Sequence, residues 1–187
     1  MNKLLFQLIL YFIIYLCGSF PSAYVVTKIF AKKDILKIGS GNVGARNVYE
    51  NVSKKLGIIT FALDFSKAVV AFIIYSKYNL FFTLSLLMLV LGHNFSIYLK
   101  FKGGKGLAST LTFLLLKNPL LAIFSIIIYL ITNKTIKNMA LSVMLTIALL
   151  LILTNIFIER DIFISLLLWM ALTIKWLPNK RNLANKN

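Results

Sequence analysis

Two loops of this sequence are built from residue types that hold phosphate. The first is Gly39-Ser40-Gly41-Asn42-Val43-Gly44. Successive glycines let backbone N–H groups converge on an anion, above all where a helix begins, and Ser40 and Asn42 add polar side chains. The spelling Gly-x-Gly-x-x-Gly, with Asp64 20 residues past the last glycine, also fits a dinucleotide fingerprint. That fingerprint must leave a β-strand and open the helix of a βαβ unit. Here the loop lies between two long apolar runs and Asp64 is embedded in one of them, so a phosphate cradle is the reading that survives. The second loop is Lys100-Phe101-Lys102-Gly103-Gly104-Lys105-Gly106. It is not a Walker A loop, because Leu99 stands where that motif needs its first glycine. Lys105 among Gly103, Gly104 and Gly106 sets a point charge beside accessible N–H groups, which again suits phosphate.

Three further groups could take part. His93, the single histidine, follows Gly92 at the end of an apolar run. The common glycerolipid acyltransferases pair a histidine with an aspartate five positions on; Tyr98 occupies that place, which excludes their catalytic dyad. His93 is left as a base or as a hydrogen-bonded structural residue. Asp64 and Lys67 share a helical face at spacing i, i+3 within an apolar run. Charges at such depth are paired or functional, and an internal ion pair bracing the bundle is expected. One cysteine, Cys17, allows no intrachain disulfide, and the scattered carboxylates have no metal-ligand spacing. Two phosphate-suited loops without a metal site, a nucleophilic cysteine or a His–Asp dyad point to joining or handling phosphorylated molecules, one of them lipidic.

The elements that must position these residues are set by composition. Of 187 residues 59% are hydrophobic, the mean hydropathy is +0.86, and 21 Lys+Arg against 5 Asp+Glu leave a charge of +16. A soluble domain averages about 45–50% apolar and about 25% charged residues. The apolar content excludes disorder, and the long uncharged runs exclude a soluble nucleic-acid binder. An all-α integral membrane protein remains, with residues 1–187 as a single membrane domain and no nucleic-acid partner. Apolar runs cover Leu4–Val26, Leu56–Tyr75, Leu80–Leu99, Leu107–Leu116, Pro119–Thr132, Met139–Ile158 and Ile162–Leu177. They predict about seven transmembrane or partly spanning helices, the first a retained helix and not a cleaved signal. Ten residues from Leu107 rise only about 15 Å as a helix, so that element packs inside the bundle or re-enters. With the N-terminus outside and the C-terminus cytoplasmic, 16 of the 21 basic residues fall on the inner side, as positive-inside topology requires. All nine glycines precede residue 107. Special backbone geometry is therefore expected in the N-terminal part, and simple bundle packing after it.

These residues, in this order, resemble the bacterial acyl-phosphate:glycerol-3-phosphate acyltransferases. The likeness is carried by Gly18-Ser19-Phe20-Pro21, by Asp34 to Val48 around the glycine loop, by Leu63-Asp64 with Lys67, by Leu91-Gly92-His93, and by Phe101 to Ala108. The resemblance implies transfer of a fatty acyl group from acyl phosphate to the 1-hydroxyl of glycerol 3-phosphate. It also implies a bilayer-embedded enzyme of the bacterial inner membrane with its site on the cytoplasmic side, working as a monomer without metal or cofactor. It assigns catalysis to Ser40, His93 and Lys105. Substrate binding falls to Ser19, Gly39, Gly41, Asn42, Gly44, Arg46, Asn47, Gly103, Gly104, Gly106, Ser142 and Asn182. An inactive or re-specialised relative and a transporter of phosphorylated metabolites are the competing readings. A transporter needs a polar path across the bilayer, and the last three apolar runs carry almost no polar residues at mid-depth.

Several positions depart from the family pattern. Leu36 stands for its usual Arg, Ser109 for Thr, and Asn179-x-x-Asn182 for His-x-x-Asn. Arg46 replaces a Thr, and Glu50 replaces an Arg expected on substrate phosphate. If the residues after Gly44 are helical, Arg46 and Glu50 share a face. The guanidinium would then have moved one turn, with Glu50 pairing to it or to a nearby lysine.

Overall fold

The computed structural model describes residues 2–158 and 162–176. Among these, nine α-helices and no strand are found. The first apolar run does not make one helix. It forms α1, Lys3–Ser19, and α2, Ser22–Phe30. The cause is Pro21, which lacks an N–H for the helix and pushes the preceding Phe20 out of the helical region, to φ −54° and ψ 117°. After the glycine loop comes the short α3, Ala45–Asn51, and then α4, Lys54–Lys77, whose start is capped by the Ser53 hydroxyl. Next come α5, Phe82–Asn94, α6, Leu107–Lys117, and α7, Pro119–Ile136. Asn118 caps α7 through the Leu121 N–H, and proline fills its first position, where no N–H is needed. The last two helices are α8, Met139–Phe157, and α9, Ile162–Thr173.

Five stretches are long and apolar enough to cross a membrane: Lys3–Phe30, Lys54–Lys77, Phe82–Leu99, Pro119–Ile136 and Met139–Ile156. Two further apolar helices, Leu107–Lys117 and Ile164–Thr173, are shorter. The run from Pro119 thus extends four residues beyond the expected Thr132 and reaches spanning length, whereas α6 stays short. The lipid-facing surface is apolar, as this solvent demands. On α7 Leu120, Ile123, Phe124, Ile127, Leu130 and Ile131 recur at helical spacing and are all exposed.

Two packing features carry the site. α1 and α5 meet backbone to backbone at glycine: a Cβ on Gly18 would strike the Leu89 carbonyl, and one on Gly92 the Tyr15 carbonyl. The main core, with Ile14, Leu89, Val90, Phe113 and Leu172 fully enclosed, surrounds this contact. A smaller apolar cluster of Ala23, Ile35, Val43 and Val48 lies under the glycine loop and fixes its height on the bundle. Special backbone geometry is not confined to the N-terminal part, contrary to the expectation drawn from glycine placement. Lys137 takes the left-handed conformation (φ 54°) that turns α7 into α8, doing without glycine the work of a helix C-terminus.

Candidate active site

The glycine loop is shaped by two left-handed residues and held by one amide. Gly39 (φ 54°) and Gly41 (φ 67°) supply the bends. Asn47, buried in the first turn of α3, does the fastening. Its Nδ2 donates to the carbonyls of Ile38 and Asn42, each at 3.0 Å, and its Oδ1 accepts from the Ser40 N–H at 3.3 Å. Asn51 Nδ2 donates to the same oxygen at 3.0 Å. Both ends of the loop are therefore tied to one side chain. One residue before Asn47, Arg46 turns outward; its Nε donates to Glu50 Oε1 at 2.7 Å, and its Nη1 touches Met139 Sδ at the start of α8.

The lysine loop is carried by the end of α5. Asn94 Nδ2 donates to the Ala171 carbonyl of α9 at 2.6 Å, and Ser96 Oγ donates to the Ser19 carbonyl at 2.5 Å, so this end cannot drift. The Gly104 N–H donates to the His93 carbonyl at 3.0 Å. Gly103 and Gly104 are glycines for want of space, since a Cβ on either would collide with His93. Gly106 (φ 74°) then opens α6 with no side-chain cap, which leaves first-turn N–H groups beside Lys105. The Lys105 ammonium is half-buried. Burial pushes its pKa below the ordinary lysine range, and the positive charge of Arg46 adds to the effect.

Behind both loops lies a buried polar cluster. Asp64 and Lys67 of α4 pair at 2.9 Å, only 2% and 8% exposed, which bears out the internal ion pair. Lys67 Nζ also donates to the Phe20 carbonyl at 3.1 Å, the group presented by the break at Pro21. Its third partner is His93 Nδ1, at 2.9 Å.

The two loops and this cluster enclose a cleft of about 400 Å³, in the range of small-molecule sites. Ser40, Asn42, Gly44, Arg46, Asn47, His93, Lys105 and Gly106 line it, together with Glu50, Phe61, Asp64 and Met139. A second, almost wholly apolar cleft of about 250 Å³ runs between α6, α7 and α8. Leu107 and Met139 belong to the walls of both.

A protein-family model described as glycerol-3-phosphate acyltransferase matches residues 8–186. The chain belongs to this family. Among family members, the glycerol-3-phosphate acyltransferase of Pelagibacter ubique is 44% identical over 130 residues, 68% of each chain. Glycerol-3-phosphate acyltransferase 2 of Lactobacillus acidophilus is 35% identical over 179 residues, 94% of this chain and 84% of that one. Crystal structures of PlsY, an integral membrane glycerol 3-phosphate acyltransferase, superpose with TM-scores of 0.79 in the glycerol 3-phosphate form and 0.77 in the lysophosphatidic acid form. Each is 27% identical and covers 96% of this chain and 92% of that one.

Within this acyltransferase fold the residues singled out from the sequence separate into groups. Ser40, His93 and Lys105 come together in the cleft with Asn42, Gly44, Arg46, Asn47 and Gly106. Gly39 and Gly41 shape the loop without lining the cleft, and Gly103 and Gly104 seat His93. Ser19 is buried behind the site, its carbonyl tied to Ser96. Ser142 is enclosed one turn into α8, its hydroxyl donating to the Asn138 carbonyl at 2.9 Å. Asn182 lies outside the described residues. Sequence reasoning missed Met139 and Phe61 as walls of the cleft. Phe61 did carry a signal, standing three residues before Asp64 on the same face of α4; Met139 carried none, because its place depends on where α8 docks.

Proposed function

We propose that this acyltransferase moves a fatty acyl group from acyl phosphate to the 1-hydroxyl of sn-glycerol 3-phosphate, yielding lysophosphatidic acid and inorganic phosphate, as the first acylation of phospholipid synthesis. The observation that carries this reading is the junction at Leu107 and Met139. There a cleft rich in phosphate-binding groups adjoins one suited to an alkyl chain. An acyl phosphate has that same division, with a dianion at one end and hydrocarbon at the other.

In the reaction the hydroxyl oxygen bonds to the acyl carbon and the bond from that carbon to the phosphate oxygen breaks. The electron pair leaves with phosphate, and the hydroxyl proton ends on the phosphate released. Phosphate is a good leaving group, so the protein has mainly to align the reactants and stabilise the developing oxyanion. The loop from Gly39 to Gly44, with Ser40 and Asn42, suits the acyl phosphate's phosphoryl group. Lys105 and the uncapped start of α6 suit the phosphate of glycerol 3-phosphate. Arg46 stands between them at the rim. The basic loops on this side favour a cleft open to the cytoplasm in a bacterial inner membrane, and the chain acts alone without a cofactor.

The test is direct. Purified protein given palmitoyl phosphate and glycerol 3-phosphate should form lysophosphatidic acid and phosphate in equal amounts. Absence of product with every acyl phosphate tried, in conditions where the Lactobacillus acidophilus relative turns over, refutes the reading.

A further inference from the structure

The cluster behind the cleft determines how its histidine can act. An ammonium group has three N–H donors and no acceptor. Lys67 has three partners: Asp64 Oδ1 at 2.9 Å, the Phe20 carbonyl at 3.1 Å and His93 Nδ1 at 2.9 Å. Asp64 and Phe20 can only accept, and with two of the ammonium hydrogens directed to them the third goes to His93. Nδ1 is therefore an acceptor. Asp64 does not compete for the ring, since its Oδ1 is 3.9 Å from Nδ1, beyond hydrogen-bond reach.

A neutral imidazole that accepts at Nδ1 carries its hydrogen on Nε2. That edge lies at Gly104, where a Cβ would collide with it, and His93 lines the cleft beside Lys105. No protein acceptor meets Nε2 among the described residues. His93, 7% exposed, thus carries this N–H on the Gly104 side of a ring that lines the cleft with Lys105.

We propose that His93 serves acyl transfer as a fixed hydrogen-bond donor through Nε2 and not as a base, and that Lys67 is the positioning residue that sets this tautomer. The acceptor is an oxygen of the acyl phosphate that gains negative charge as the acyl carbon is attacked. This identification of the acceptor rests on the proposed function; the tautomer does not. His93 neither gains nor loses a proton in the step. The glycerol hydroxyl proton reaches the departing phosphate by another path, and the bonds made and broken are those already given. Such a donor is worth more in a closed site than in water, since it is aligned before charge develops.

The single histidine makes the test clean. Protein labelled with 15N-histidine and held in detergent micelles gives one pair of ring nitrogen signals. Around neutral pH the expected pattern is a protonated, pyrrole-type Nε2 and an unprotonated, pyridine-type Nδ1. A protonated Nδ1, whether in the other tautomer or in imidazolium, overturns the proposal without bearing on the reaction catalysed. Two variants supply the activity arm. His93→Gln keeps an amide N–H donor and cannot act as a base; it should retain kcat within about tenfold, whereas His93→Ala should lose about 10²–10³-fold. Equal loss in both variants overturns the donor role. In Lys67→Arg the histidine signals should keep the same pattern, because Arg also only donates, whereas Lys67→Met removes the donor to Nδ1 and should change it; an unchanged nitrogen spectrum in Lys67→Met counts against Lys67 as the group that sets the tautomer. A wild-type protein without activity would sink the proposed function and leave the nitrogen spectrum standing.

Discussion

The Arg46–Glu50 pair offers a quantitative test of the proposal that a phosphate-binding guanidinium has moved one helical turn in this chain. The two groups meet at 2.7 Å, yet their side chains are 61% and 49% exposed. A helical i, i+4 pair so open to water contributes about 0.3–0.5 kcal/mol, roughly a factor of two in an equilibrium. A charge-assisted hydrogen bond from the guanidinium to a substrate phosphate contributes about 1.5–3 kcal/mol. On the proposed role of Arg46, phosphate therefore wins the competition, and Glu50 would be a weak rest for Arg46 while the cleft is empty. Arg46→Ala should lower kcat/KM for glycerol 3-phosphate about 10- to 150-fold. Glu50→Gln should change it no more than about twofold. In Arg46→Thr with Glu50→Arg the guanidinium moves one helical turn along the same face, and activity should return to within about tenfold of wild type. The assay is the initial rate of lysophosphatidic acid formation at varied glycerol 3-phosphate. Full activity in Arg46→Ala refutes the argument. So does a loss in Glu50→Gln as large as that in Arg46→Ala, because Glu50 would then touch substrate itself.

Three other outcomes follow from the same geometry. Lys105→Ala should raise KM for glycerol 3-phosphate by at least about tenfold, the loss of one charge-assisted contact, with a smaller effect on KM for acyl phosphate. In the proposed role of Lys105 the ammonium is the form that would hold phosphate, and its pKa is depressed by burial and by Arg46. KM should therefore stay level at low pH and rise with pH sooner than an ordinary lysine would allow, and Arg46→Ala should shift that rise to higher pH; a KM–pH profile checks both directions. Asn47→Ala removes the side chain that fastens Ile38, Ser40 and Asn42 together, so kcat/KM should fall while the helical circular dichroism signal is unchanged. Gly92→Ala presses a methyl group against the Tyr15 carbonyl, and overpacking of this kind costs about 1–3 kcal/mol, to be read as a lowered unfolding midpoint in detergent.

Local signals in the sequence were reliable wherever the responsible force was itself local. The i, i+3 spacing of Asp64 and Lys67 and the i, i+4 spacing of Arg46 and Glu50 each became an ion pair. The glycine loop and the lysine loop were legible as phosphate-suited because backbone geometry is encoded within a few residues. Contacts between helices were not. His93 could be read as base or structural residue because its partner lies 26 positions away on α4, and no spacing rule links them. Ser142 entered through the resemblance alone, since nothing in its local sequence marked it; in the structure its hydroxyl donates to the Asn138 carbonyl, and Met139 of the same helix lines the cleft. The break at Pro21 was present in the letters, but its use was not: only with α4 alongside does the Phe20 carbonyl meet Lys67.

The glycine seam between α1 and α5 divides the molecule by its capacity to deform. Backbone seated on backbone at Gly18 and Gly92 has no rotamers to change, so that joint accommodates strain only by separating. The wall between α7 and α8, with Ile126, Tyr129, Val143 and Ile147, is built from side chains that can repack. An inhibitor shaped to the phosphate end would thus meet nearly the same surface throughout turnover. One shaped to the apolar end would meet side chains free to repack around it, and resistance would arise there at little cost to the enzyme.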